Sequence, residues 1–504
     1  MDYALTIWSV ATYIEARVKS TIDYEHMEKT TGFSYRHIRE IFKENTGKSL
    51  SKYILERKIA NAAFDISISD KKLTDIAFEY KFNSYDTFTR SFKRITDVSP
   101  SQFKKKDSKV GRKRILMGMY APVIFKKDDD IEYYDTSINK HIIPKETVKT
   151  NSSCILYGVP KVAYTFKECT PFVVSLKSCL AYLGHRINYT YIMAVTGASF
   201  RLRWNKSYWD GGNVDIMNIY QDAYEPFKRA FKAIKRECKI LKRANSSKQD
   251  FMEFIKKEIN SGKPVISLGI IGPCEAGLIT GYRNNGETLL GWNCFQDCKE
   301  FNKNTGIDEC GYYITNNWWQ NPDTIALIAI GDEIKANISQ KEIIENALNI
   351  MNTNTIKVNT GNRSMQTYAG GQLAYELWAR AITNEAEFSK NTIVPLLIER
   401  LMCQNDAQTM IGEGRAYAAY FMEWIGNTNK HVQNDCNEAA KYLRKILEIS
   451  MEMCKIRGGF EQNEKTLKSF CQPKIRAKTA ELIQQAKEHE HKACGLMQAI
   501  YSKL

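Results

Sequence analysis

At 504 residues the chain is long enough for three or four domains, and its 43% apolar content suffices for sizeable cores. A net charge of +15 suits a polyanionic partner. No signal peptide and no run of roughly eighteen apolar residues is visible, which argues against a spanning helix and predicts a cytoplasmic protein with no membrane partner. The thirteen cysteines lack paired metal-type spacing, so reduced thiols are expected, with no metal and no cofactor.

Apolar residues Ile7, Val10, Ala11, Ile14 and Val18 recur at helical spacing and predict a scaffold helix. Two similar segments follow, about fifty residues apart. In the first, Tyr24–Thr31 is expected to be a short helix, Gly32 a tight turn and Ser34 the N-cap of a second helix. Ile38, Ile41 and Phe42 would then point inward, and Tyr35, Arg36, His37, Arg39 and Lys43 outward. In the second, Leu73, Ile76, Ala77 and Tyr80 form an apolar stripe and Ser84 can cap the next helix. Phe88 and Phe92 are buried there, with Tyr85, Asp86, Thr87, Thr89 and Arg90 facing outward. Residues 53–66 predict a connecting helix that fixes the spacing of the two segments. Each segment reads as a helix-turn-helix, and two in one chain suit adjacent major-groove segments of double-stranded DNA.

Residues 1–106 resemble the DNA-binding region of the AraC/XylS family of bacterial transcription regulators. The resemblance is carried by Gly47 and Leu50-Ser51-Lys52-Tyr53-Ile54, Arg57, Ile76-Ala77, Phe82-Asn83-Ser84, Phe88, Arg90, Phe92-Lys93 and Ser99-Pro100-Ser101-Gln102-Phe103. Asp97 departs from it, standing where the family often has Gly. The resemblance implies base contacts from Arg36, His37 and Arg39, and from Tyr85, Asp86, Thr87 and Arg90. It implies phosphate contacts from Lys43, Lys48, Lys93 and Arg94, and RNA polymerase as a partner. An arginine can bond guanine O6 and N7 together, which suits the exposed arginines to base readout.

The remainder divides into a linker at 108–150, a domain at 151–335 and a helical domain at 336–504. Basic side chains run through Lys104-Lys105-Lys106 and Arg112-Lys113-Arg114, and again from Lys228 to Arg243 on what reads as an amphipathic helix. Cys169 precedes an apolar helix with Phe172, Leu176 and Leu180. Strands are expected at 264–268, 276–282 and 288–292, the last two joined by a turn at Arg283-Asn284-Asn285-Gly286.

A cysteine at a helix start followed by a small antiparallel sheet resembles the papain-like family that includes the butirosin-biosynthesis acyltransferase H. Cys169, Leu180-Ala181-Tyr182-Leu183-Gly184, the strand from Gly277 to Tyr282, and Gly291-Trp292 carry that resemblance. A papain-like site needs a histidine on the second strand, and the stretch from Pro273 to Leu278 has none. An unassisted cysteine is only a few per cent thiolate at neutral pH, so no enzyme activity is expected. Cys169 is the catalytic candidate only on the alternative reading, a cysteine-dependent acyltransferase or amidase fused to a DNA-binding domain, with Glu275 as the substitute base.

Trp204, Tyr208, Trp209, Asp210, Glu275, Trp292 and Gln296 are the candidate effector-binding residues, because aromatic walls with carboxylates suit a cationic or amine-bearing ligand. The whole therefore reads as multidomain: an all-α double helix-turn-helix domain over 1–107, a degenerate α+β papain-like domain and an all-α C-terminal domain. The expected function is a transcription regulator, in the activator direction, governed by a small-molecule or peptide effector. The C-terminal helices are free to cover the pocket, to form a homodimer, or both.

Overall fold

The computed structural model describes the chain apart from residues 1–9, 11–12, 15–16, 47–48, 69–70, 97–98, 107–145, 163–167, 186, 212, 297–300, 302–304, 309, 360–364, 390–391, 393 and 460–463. Lys48, Gly47, Asp97, Ile7, Ala11 and most of the expected linker lie outside the described residues.

Among the described residues, six bounded helices build the N-terminal region: α1 (Tyr24–Thr31), α2 (Tyr35–Thr46), α3 (Leu50–Ile68), α4 (Leu73–Glu79), α5 (Tyr85–Thr96) and α6 (Pro100–Lys106). Two apolar cores flank α3. Its first half gives Leu50, Tyr53 and Ile54 to a core with Met27, Ile38 and Phe42. Its second half gives Ile59, Ala62, Ala63 and Ile66 to a core with Ile76, Ala77, Phe88 and Phe92. One continuous helix therefore joins two separately packed helix pairs.

The turns have local causes. Asp23 caps α1 by accepting from His26 N, and Gly32 closes the helix at φ 71° with its N–H donating to Glu28 O. That left-handed geometry costs glycine little. The second pair makes the equivalent reversal at Lys81, φ 58°, where a non-glycine bears the strain. Ser99 and Gln102 form a reciprocal cap at α6: Gln102 N donates to Ser99 Oγ at 3.2 Å and Ser99 N to Gln102 Oε1 at 3.1 Å.

Beyond residue 145 the chain falls into two compact units that interleave in sequence. Residues 174–187 and 240–329 group with the N-terminal part, whereas 167–173, 188–239 and 330–504 form the second unit. The larger sheet has nine strands. Its path runs β4 (Arg236–Lys242), β10 (Ala326–Glu333), β5 (Val265–Leu268), β6 (Ala276–Arg283), β7 (Thr288–Trp292), β9 (Tyr313–Thr315), β8 (Thr305–Ile307). The hairpin β1 (Glu146–Lys149) and β2 (Cys154–Tyr157) joins it through β2 against β6. The β6–β7 hairpin carries a register shift between Ile279 and Gly281. Gly291 on β7 is obligatory, since a Cβ there would lie 1.8 Å from Leu278 O.

Two expectations are corrected here. The basic run is not one helix: α9 (Glu225–Ala233) ends, Lys235 turns at φ 57°, and Arg236 begins edge strand β4. The C-terminal segment is not purely helical either. β11 (Thr355–Val358) and β12 (Gln366–Ala369) pair within it, and β12 also pairs with β3 (Trp204–Asn205). Its helices are α11 (Gln340–Asn352), α12 (Gly371–Thr383), α13 (Val394–Thr428), α14 (Gln433–Arg457), α15 (Glu464–Phe470) and α16 (Pro473–Lys503).

Candidate functional site

The second helix of each N-terminal pair presents a polar outer face on an apolar inner one. On α2, Ile38, Ile41 and Phe42 are buried, which leaves Arg36, Arg39 and Lys43 exposed and His37 half-buried. Ser34 Oγ accepts from His37 N at 3.3 Å, so the predicted cap starts the helix. Arg36 Nε donates to Glu40 Oε1 at 3.1 Å across an exposed turn. Such an exposed pair contributes little and opens readily for another acceptor. His37 packs on Phe33 with ring centroids 5.1 Å apart, and the Arg39 guanidinium lies 5.8 Å from the Tyr35 ring centroid.

On α5 the packing is aromatic. Phe88 meets Phe82 at 5.2 Å and Phe92 at 5.5 Å, and Phe92 meets Phe103 at 5.5 Å. This fixes Asp86, Thr87, Arg90, Lys93 and Arg94 on the exposed side, with Tyr85 half-buried. Ser84 Oγ accepts from Thr87 N at 3.1 Å. Arg90 Nε makes one long contact, 3.5 Å, to Asp86 O. Thr89 does not face outward as expected: its hydroxyl is buried and meets no acceptor among the described residues.

The two faces are held by α3. Its 19 residues span about 28 Å, of the order of the 34 Å or so between successive major-groove segments. Between the pairs, Tyr80 OH donates to Asp65 Oδ2 at 2.9 Å, and Lys19 Nζ lies 2.8 Å from the same oxygen. Lys58, half-buried along α3, has its ammonium pulled below the ordinary lysine range by burial and then by Lys81.

The seven residues singled out for an effector separate into two groups. Trp204, Tyr208, Trp209 and Asp210 belong to the second compact unit, and Glu275, Trp292 and Gln296 to the first. In the second unit Trp204 is buried, meets Trp209 edge to face at 5.4 Å and stacks on Trp378 at 6.3 Å. Asp210 Oδ2 accepts from Tyr368 OH at 2.8 Å and Asn205 Nδ2 at 3.2 Å. Tyr208, exposed, donates to Gln366 Oε1 at 2.7 Å. In the first unit Trp292 is core: its Nε1 donates to Val159 O at 2.9 Å and its ring meets Tyr312 at 4.9 Å. Gln296 is also buried, donating to Gly311 O and accepting from Asn293 N.

Cys169 precedes α7 (Pro171–Tyr182). Its main chain is clamped by a carboxylate that the sequence did not announce. Glu413, on α13, accepts from Cys169 N at 2.6 Å and Tyr189 OH at 2.6 Å through Oε1, and from Thr170 Oγ1 at 2.9 Å through Oε2. Burial raises its carboxyl above the usual range, against the pull of those donors. Cys169 and Glu275 belong to different compact units. No group of three or more His, Cys, Asp or Glu that could hold a metal occurs among the described residues, and none of their helices is long and apolar enough to cross a membrane.

A helix-turn-helix domain family model matches residues 27–106. The multiple antibiotic resistance protein MarA of Escherichia coli is 35% identical over 101 residues, 20% of this chain and 80% of that protein. The HTH-type transcriptional regulator YbfP of Bacillus subtilis is 32% identical over 104 residues, 35% of its length. The right origin-binding protein of Escherichia coli is 28% identical over 105 residues, 36% of its length.

Proposed function

Because the chain belongs, through its N-terminal fifth, to the AraC-type family of helix-turn-helix transcription regulators, we propose that it activates transcription under the control of a small-molecule or peptide effector bound in its C-terminal region. The observation that carries the regulatory reading is the pair of exposed cationic helix faces on α2 and α5 joined by one helix. Arg36, His37 and Arg39, and Tyr85, Asp86, Thr87 and Arg90, read bases. Lys43, Lys48, Lys93 and Arg94 hold phosphates. Asp86 is of use only beside a cytosine amine. RNA polymerase is the partner that activation requires.

The effector region is read as a degenerate papain-like domain over 151–335 with a helical domain over 336–504. Supporting this are the helix that follows Cys169 and the β5–β6–β7 antiparallel strands. Trp204, Tyr208, Trp209 and Asp210 share one polar-aromatic cluster, which suits ligand recognition better than the buried Trp292 and Gln296 do. Cys169 is assigned no catalytic role, since the stretch from Pro273 to Leu278, where a papain-like site needs its histidine, has none.

Footprinting of the full chain on fragments of its own upstream DNA tests the regulatory reading. One protomer should protect two adjacent major-groove segments. Binding without sequence preference at every salt concentration would overturn it. A thermal-shift screen of the full chain with metabolites, peptides and antibiotics tests the effector reading through stabilisation by a bound ligand.

A further inference from the structure

Helix α13 carries polar side chains at positions where a bundle helix ordinarily buries apolar ones. Arg400, Gln404, Asn405, Gln408 and Arg415 are all 8% exposed or less. Most are answered within the fold. Trp378 Nε1 donates to Gln404 Oε1 at 2.8 Å, and Gln408 Nε2 donates to Ser450 O at 2.6 Å. Arg415 shows the complete case: Glu490 takes Nε and Nη2 at 2.6 and 2.8 Å, and Nη1 donates to Ser199 O and Arg201 O.

Among the described residues, three more guanidiniums of this helical bundle are left incomplete, with N–H groups that meet no acceptor there. Arg457, at the end of α14 and 1% exposed, donates Nη2 to Asn405 Oδ1, while Nε and Nη1 meet no acceptor. Arg476 on α16, also 1% exposed, donates Nη1 to Cys471 O and Nη2 to Glu385, while Nε meets none. Arg400 gives Nε and Nη2 to a single oxygen of Glu387, and Nη1 meets none. Two of them meet one aromatic pair, and the Arg400 guanidinium lies 5.9 Å from the ring of Trp209, which itself meets Phe388 edge to face at 6.1 Å. Phe388 and Phe470 meet edge to face at 5.4 Å, with the Arg476 guanidinium 4.2 Å over Phe388 and that of Arg457 6.0 Å from Phe470. Burial pushes the Arg457 guanidinium down to about 10.

A buried guanidinium without a counter-charge is costly, and an apolar residue of similar volume would be more stable. Planar forks around an aromatic wall suit an oxyanion, which takes two parallel N–H bonds from one arginine. Bundles build ligand sites from side chains on facing helices. We propose that Arg400, Arg457 and Arg476 form a binding site for the carboxylate or phosphate group of a small molecule. Trp209 borders it, since its Nε1 donates to the same Glu387 oxygen as Arg400. The proposal thus deepens the effector reading, and rests on it only for what the bound ligand does to DNA binding.

The test is calorimetric melting of the full chain in inorganic phosphate or in succinate, each against sodium chloride at matched ionic strength. One anion should raise Tm saturably, and which of the two does so names the class. Arg457→Met should abolish the rise, yet melt higher than the wild type in chloride alone. Arg457→Lys keeps the charge without the fork and should weaken binding about tenfold or more. The site is overturned if neither anion exceeds chloride, or if Arg457→Met keeps the response. It is also overturned if Arg457→Met melts lower than the wild type in chloride alone, which would mean that the chain itself already completes the guanidinium. Anion binding that leaves DNA affinity unchanged would overturn the effector reading and leave the site standing.

Discussion

Arg90 and Lys93 lie three residues apart on α5, both exposed, and they separate the two components of DNA binding. Among the described residues Arg90 is held only by a 3.5 Å contact to its own helix, which leaves its fork suited to a base edge. Arg90→Ala should cost roughly 1–3 kcal/mol on the specific site and relax preference at one position. Lys93→Ala should weaken all sequences alike and reduce the salt slope by about one. Gel-shift titrations of both variants over a salt series check this. An Arg90→Ala loss that is equal on all sequences would move Arg90 to the phosphate class.

Glu413 makes a second argument at this scale. Its folded carboxyl is raised by burial, so the folded state binds that proton more tightly than the unfolded one. The sign follows: its contribution is full below the ordinary glutamate value and is lost as pH rises through the raised folded value. Glu413→Gln has no such proton. Its Tm relative to wild type should therefore improve as pH climbs across that window, as read by melting both proteins from acid to neutral pH. A constant Tm difference would mean the carboxyl is not raised.

At the scale of elements, α3 acts as the spacer between readers. Its residues divide cleanly, Ile54 packing in one core and Ile59 in the other. One alanine inserted between Ile54 and Leu55, the boundary between the two cores, rotates the second pair by about 100° and shifts it by about 1.5 Å. Both cores keep their own halves of the helix. The variant should retain its circular-dichroism helicity and lose specific footprinting while keeping salt-sensitive general binding. A retained footprint would show that the pairs do not read jointly.

The legibility of these elements in sequence follows how local their causes are. Gly32, Ser34 and Ser84 act within a few residues, so the two helix pairs could be read directly. The β6–β7 hairpin was legible for the same reason, with Asn284, Asn285 and Gly286 at its turn. Strand β4 was not. Its seven residues carry charge on both sides and are fixed by lying against β10, a distant partner. The alternating Thr355-Ile356-Lys357-Val358 did carry a strand signal, masked by the helices around it. The buried arginines could not be read at all, because a polar residue inside an amphipathic pattern looks like solvent until the facing helix is known. Glu413 and Arg457 are of this kind.

For the whole molecule, the question is whether four-fifths of the chain serves the other fifth. MarA aligns to 101 residues here and that stretch makes up 80% of it, so a protein of little more than this size is complete in that relative. Residues 1–107 alone should accordingly fold and bind the same operator. If an effector controls the full chain, linkage requires reciprocity: the factor by which it changes operator affinity must equal the factor by which operator changes effector affinity. A coupling of 1–3 kcal/mol would appear as a change of roughly 5- to 150-fold in both titrations. Residues 1–107 should show the operator affinity and none of the coupling. Equal effector affinity with and without operator would mean that the large C-terminal region binds its ligand for some purpose other than switching DNA affinity. An inactive 1–107 fragment that is shown to be folded would mean instead that this region contributes directly to the DNA interface.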